Sequence, residues 1–127
     1  MKKETVTAQN APAAVGPYSH GVKAGGFLYT SGQLGVDVAT GKLAEGIEEQ
    51  TRCCFSNLQA VLEAGGGSLD TIVKIMVFIK NMDDFSVLNR IYAEYFSGGF
   101  PSRSCVEVAK LPLGGLVEIE AVAYIGG

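Results

Sequence analysis

The chain has 127 residues, of which 47% are hydrophobic and 18% charged, with a net charge of −3. That balance fits one folded domain over residues 1–127, and the missing basic excess argues against nucleic acid as the principal partner. No run of about 18 apolar residues offers a membrane span, and the polar start Met1-Lys2-Lys3-Glu4-Thr5 offers no signal-peptide core.

Cys53, Cys54 and Cys105 cannot all pair, and their spacing fits neither zinc ligation nor a CxxC redox motif. A cytoplasmic protein with no metal and no cofactor is the expectation.

In chain order, a short strand is predicted near Glu4–Thr7. A hairpin follows, in which Val22–Ala24 and Phe27–Thr30 flank the turn Gly25-Gly26. Ile47 to Glu63 reads as a helix, because Ile47, Cys54, Phe55, Leu58, Val61 and Leu62 fall on one 3.6-residue stripe. Gly65 is placed where a left-handed helix end would want it. Thr71–Lys80 reads as a strand with Val73, Ile75, Val77 and Ile79 on one face and Lys74, Met76, Phe78 and Lys80 on the other.

A second helix over Asp83–Phe96 turns Phe85, Leu88, Tyr92, Tyr95 and Phe96 inward, with Asn81 or Asp83 as its cap. Arg103–Val108 and Val117–Tyr124 close the chain as strands. The order β-β-β-α-β-α-β-β predicts an α+β two-layer sandwich, a six-stranded mixed sheet with two helices on one face. On the far face, Met76, Phe78 and Val122 stand among Glu118 and Glu120. Such a face is too apolar to be left wet and reads as an interface between subunits. Arg103 and Glu118 are expected on that same face, on neighbouring strands.

Three blocks then stand out. The first runs Pro101-Ser-Arg-Ser-Cys-Val-Glu-Val-Ala-Lys-Leu-Pro and, after Gly114-Gly115, Leu-Val-Glu-Ile-Glu-Ala. The second is Asn10-Ala-Pro-Ala-Ala-Val-Gly-Pro-Tyr-Ser-His-Gly, and the third is Tyr29-Thr-Ser-Gly-Gln. Together, in this order and over nearly the whole chain, they resemble the Rid (YjgF-like) family. The resemblance implies a chorismate-mutase-like fold and a homotrimer with sites at subunit interfaces. It also implies cofactor-free hydrolysis of 2-iminopropionate and 2-iminobutyrate to 2-keto acids and ammonia.

The residues admit that chemistry. Arg103 offers a planar fork of donors matched to a carboxylate, and the resemblance makes it the carboxylate anchor. Read alone, it is equally a solvated arginine or a partner for Glu107 or Glu118. Glu118 matches the family's functional glutamate, suited to orienting water and moving protons, with Glu120 able to exchange roles. Its alternatives are an edge-strand gatekeeper or a structural salt bridge. Tyr18 follows the rigid Gly16-Pro17 turn and matches a pocket tyrosine. Ser31 and Gly32 end a strand where backbone N–H groups can approach a ligand.

Cys105 matches a pocket position but has no neighbouring histidine in sequence to make it a nucleophile. Asn89 matches a position near the site. His20, the only histidine, falls at the pocket rim, and Cys53 and Cys54 read as helix packing. Gly35, where the family often has proline, and the short loop 97–100 are expected to reshape the pocket rim. The competing readings are a non-catalytic sensor of 2-keto acids, a chorismate-mutase-like enzyme and a ribonuclease.

Overall fold

The computed structural model describes residues 2–126. In chain order the elements are β1 (Glu4–Val6), β2 (Gly21–Ala24), β3 (Phe27–Thr30), β4 (Gln33–Leu34), β5 (Val36–Asp37), β6 (Lys42–Leu43) and α1 (Gly46–Ala64). Then come β7 (Ile72–Ile79), α2 (Phe85–Ala93), β8 (Ser102–Glu107) and β9 (Val117–Tyr124). The main sheet runs β1-β2-β3-β9-β7-β8, with β4 also paired to β9. Its pairs are antiparallel except β7 with β8. That parallel pair follows from α2, which carries the chain back over the sheet between them. The expected α+β arrangement, two helices with one mixed sheet, is found, but that sheet has seven strands rather than the expected six, because β4 adds to β9, and β5 and β6 pair separately.

Register decides what faces the helices. Ala121, Ile75 and Arg103 form one rung across β9, β7 and β8, and Ile119, Val77 and Cys105 form the next. Ile75, Val77 and Ile119 are fully buried there against Cys54, Phe55 and Leu58 of α1 and Leu88 of α2. Truncating such a core residue, Phe55→Ala for example, removes about 3–5 kcal/mol of stability. The opposite, open face carries the rungs Glu118, Phe78, Val106 and Glu120, Met76, Ser104.

Helix α1 carries the predicted stripe, but its end differs from expectation. Gly65 has φ −92°, and the left-handed residue is Gly66 at +90°. Gly65 is required for another reason: a Cβ there would stand 2.6 Å from Leu28 Cδ2. In β7 the inner residue is Ile72, and Val73 is 44% exposed. A register shift between Ile72 and Lys74 inserts Val73 as a bulge, which reverses the alternation at that end. Asn81 caps not α2, as expected, but the turn before it, its side chain accepting from the Asp83 N–H at 2.9 Å; the residue before α2, Asp84, makes no side-chain cap. A 3-10 turn over Met82–Asp84 intervenes before α2 begins.

Helix α2 is tied to α1 across their exposed surface. Arg52 makes a two-pronged contact with Glu94 at 2.9 and 3.2 Å, and Arg90 reaches Glu48 at 3.0 Å. These pairs fix α2 over the β8 edge, which sets where its Asn89 can reach.

Candidate functional site

On the open face, Glu118 and Glu120 rise from β9 into a cleft of about 1080 Å³. Its walls come from the arm 9–15, from Tyr18, from Ser31 and Gly32 at the end of β3, and from the turn at Pro112 and Leu113. Among the described residues no lysine or arginine lines it. Burial, and then the neighbouring Glu120 charge, push the Glu118 carboxyl above the usual carboxylate range. An acid so tuned can both take and return a proton nearer neutrality.

Gly32 lies directly against Glu118: a Cβ on it would stand 2.8 Å from Glu118 Cδ. Ser31 spends its donors on the wall itself. Its N–H donates to the His20 carbonyl at 2.9 Å and its hydroxyl to the Ser19 carbonyl at 2.6 Å. Toward a ligand the Ser31 side chain therefore keeps acceptor capacity only. Tyr18 is 47% exposed, at the mouth of the cleft.

Arg103 is elsewhere. The expectation that it shares a face with Glu118, on a neighbouring strand, is overturned by the register. Strand β7 lies between β8 and β9, and Arg103 sits beside Ile75 on the helix side, whereas Glu118 sits beside Phe78 on the open side. The Arg103 Nη1 donates to Asn89 Oδ1 at 2.8 Å. Its guanidinium carbon lies 4.7 Å from the centre of the Tyr92 ring and 5.4 Å from that of Phe85.

Tyr92 and Phe85 thus hold the cation by their faces. Among the described residues no carboxylate pairs with Arg103, and Glu107, one of the partners considered for it, instead accepts from the Met82 N–H at 2.8 Å. Asn89 is the one described side chain to which the guanidinium donates.

Cys105 stands one rung from Arg103, on the same side. Burial raises its thiol pKa, with Arg103 opposing, so the thiolate is not favoured and the residue fits the role of a small packing group. The seven predicted residues therefore divide into two groups within one chain. Tyr18, Ser31, Gly32 and Glu118 meet at the cleft; Arg103 and Asn89 meet at the β8–α2 edge, with Cys105 beside them.

Several positioning residues were not legible as such. Asn57 of α1 is 2% exposed and donates to both the Leu34 and Val36 carbonyls, at 3.1 and 2.8 Å. Gln50 donates to the Ala44 carbonyl at 3.0 Å and accepts from the Leu116 N–H at 2.9 Å. Asn57 thereby pins Leu34 and Val36, which wall the cleft, while Gln50 ties α1 to Ala44 and Leu116 outside it. The available signal was an amide on the buried side of α1, where only a hydrogen-bonded role makes polarity tolerable. Gly35 does not shape the rim as expected: a Cβ there would point into the Gln50 backbone at 2.6 Å.

Among the described residues no three His, Cys, Asp or Glu side chains converge as a metal site, and no helix is long and apolar enough to cross a membrane.

Residues 8–125 match the family model described as Endoribonuclease L-PSP. The chain belongs to this family, the Rid (YjgF-like) family. It is 47% identical over 123 residues to a RutC family protein of Pyrococcus horikoshii, covering 96% of this chain and 98% of the relative. It is 46% identical over 123 residues to the 2-iminobutanoate/2-iminopropanoate deaminase of Salmonella typhimurium, covering 94% and 96%. Among solved structures, TdcF of E. coli with bound serine superposes with a TM-score of 0.92 at 39% identity, covering 95% and 98% of the two chains. Names within the Rid family thus range from deaminase to endoribonuclease, while the fold is shared.

Proposed function

We propose that this protein hydrolyses 2-imino acids, 2-iminopropionate and 2-iminobutyrate among them, to 2-keto acids and ammonia in the cytoplasm, using no cofactor. One observation carries the reading. Among the described residues Arg103 is a preorganised cation with no carboxylate paired to it, and the Glu118 cleft is an acidic site lined by no cation. The two patches complete each other when copies associate, each Arg103 edge meeting the Glu118 cleft of a neighbour. We take that assembly to be a homotrimer, which the Rid resemblance implies. Such a head-to-tail contact closes into a ring, and it covers the apolar open face around Met76, Phe78 and Val122.

The step balances simply. The free edge of the Arg103 fork holds the substrate carboxylate, with Asn89 fixing the other side of the guanidinium. Water adds to C2 of the protonated imine while Glu118 takes one of its protons, forming a C–O bond and turning C=N into a C–N single bond. Glu118 returns that proton to nitrogen; the C–N bond then breaks and ammonia leaves as the hydroxyl gives up its proton to solvent and becomes the C=O of the 2-keto acid. Tyr18 and the Gly32 backbone bound the reacting centre, and Cys105 packs beside Arg103. Positioning supplies most of the acceleration, because an imine is already electrophilic.

Two likenesses support the reading: the deaminase name of the Salmonella typhimurium relative, and serine, itself a small 2-substituted carboxylate, bound to TdcF. The ribonuclease reading has the family model's description behind it. A net charge of −3 and a cleft built on two glutamates oppose a phosphate backbone.

The test is a coupled assay in which a threonine dehydratase generates iminobutyrate and its loss is followed with this protein present or absent. Faster loss is expected with the wild type and none above background with Arg103→Ala, whose fold stays intact. Binding of 2-oxobutyrate without any faster loss would instead establish a sensor.

A further inference from the structure

The chain's single histidine is 5% exposed and both of its ring nitrogens are engaged. Nδ1 accepts from the Ala8 N–H at 2.9 Å, and Nε2 lies 2.8 Å from the Pro12 carbonyl, to which it must donate. These two partners dictate the neutral ring with its proton on Nε2. The His20 carbonyl in turn accepts from the Ser31 N–H at 2.9 Å. One residue therefore joins three stretches: the arm that walls the cleft, the end of β3 beside Gly32, and the turn that carries Tyr18 two positions earlier.

Among the described residues the arm has one other side-chain hydrogen bond, a long exposed one from the Val15 N–H to the Tyr18 hydroxyl at 3.4 Å. Its buried side chains are Ala8 and Ala11, which pack on Val61 of α1. Methyl groups of that size bury too little area to hold a loop in register. Beyond Pro12, positions 13–15 are exposed, Val15 at 85%.

We infer that His20 is a positioning residue that holds the 8–12 stretch of the arm, and through it Tyr18 and the cleft wall, in the geometry that receives the substrate. This rests on the imine-hydrolysis reading for its catalytic consequence, though not for its structural content. An apolar residue at 20 leaves the Ala8 N–H and the Pro12 carbonyl without partners and frees the arm. Glutamine, whose amide offers one acceptor and one donor, restores both contacts.

The experiment compares His20→Leu with His20→Gln in the full chain by three measurements: kcat and KM for freshly generated iminobutyrate, hydrogen exchange of peptides covering residues 8–15, and the thermal transition. With leucine, exchange of the Ala8 amide accelerates about tenfold, as loss of one buried hydrogen bond implies. KM rises several-fold while kcat stays within about twofold of wild type, since the groups acting on C2 are untouched. Glutamine returns both quantities to near wild type.

Unchanged exchange and KM in the leucine variant overturn the inference. So does a glutamine variant as impaired as leucine, which would assign the effect to ring shape. Should His20→Leu not fold, His20→Asn replaces it: its shorter amide spans only one partner, and an unaltered arm there overturns the inference equally. If the wild type clears no imine, the deaminase reading fails by itself. Exchange of the arm and the affinity for 2-oxobutyrate then decide the role of His20.

Discussion

A methyl group on Gly32 would stand 2.8 Å from Cδ and 3.0 Å from Oε2 of Glu118. No side chain fits between the end of β3 and that carboxylate. Gly32→Ala therefore drives the Glu118 head group aside, and the flexible side chain can yield without disturbing the core. The expected result is a loss of about 100-fold in kcat/KM, the scale of a displacement near 1 Å, with a thermal transition close to wild type. Steady-state kinetics beside a melting curve check this. An equal fall in stability would show that Gly32 serves the fold and not the carboxylate.

The pH dependence follows from the same carboxylate. Burial first, and Glu120 second, raise the Glu118 pKa, so the acid limb of the rate profile lies above that of an ordinary glutamate. Glu120→Gln removes the repulsion and leaves the burial. The acid limb is expected to move to lower pH, as a kcat/KM profile would read. Stability runs the other way. A raised carboxyl pKa means that the folded chain binds its proton more tightly than the unfolded one. Its contribution to stability therefore falls as pH rises from the unfolded value through the folded one. Glu118→Gln is then expected to melt higher than wild type at pH 7, with the gap closing in acid, while activity is lost.

Separation of Arg103 from Glu118 by β7 and by the thickness of the sheet makes a shared site testable with two dead chains. Arg103→Ala and Glu118→Gln are each inactive alone. Unfolded together in equal amounts and refolded, they form mixed rings in which an intact Arg103 meets an intact Glu118 at about one contact in four by random mixing. Recovery near a quarter of wild-type activity is the expected outcome. No recovery, with mixing demonstrated by mass, would place both residues of a working site in one chain.

Much of the fold was legible because burial writes a period into the chain. The stripe of α1 and the alternation Val117, Ile119, Ala121, Ala123 fixed those elements closely, and with them the outward aim of Glu118 and Glu120. Strand β8 gave no such answer. Its two sets, Arg103, Cys105, Glu107 and Ser104, Val106, Val108, are equally mixed in polarity, so parity grouped them without saying which set met the helices.

The sequence by itself determined both helices, the six longer strands, the two-layer architecture and the family, but not the two-residue strands β4, β5 and β6. These rest on local patterns and on motifs spaced along one chain. Only the tertiary structure decided that β7 comes between β8 and β9, that Val73 bulges outward, and that Arg103 turns from the Glu118 cleft toward Asn89 and Tyr92. Strand order and register arise from contacts between residues far apart in the chain. A repeat of two along a strand records which side chains share a face, but not which strand lies beside it.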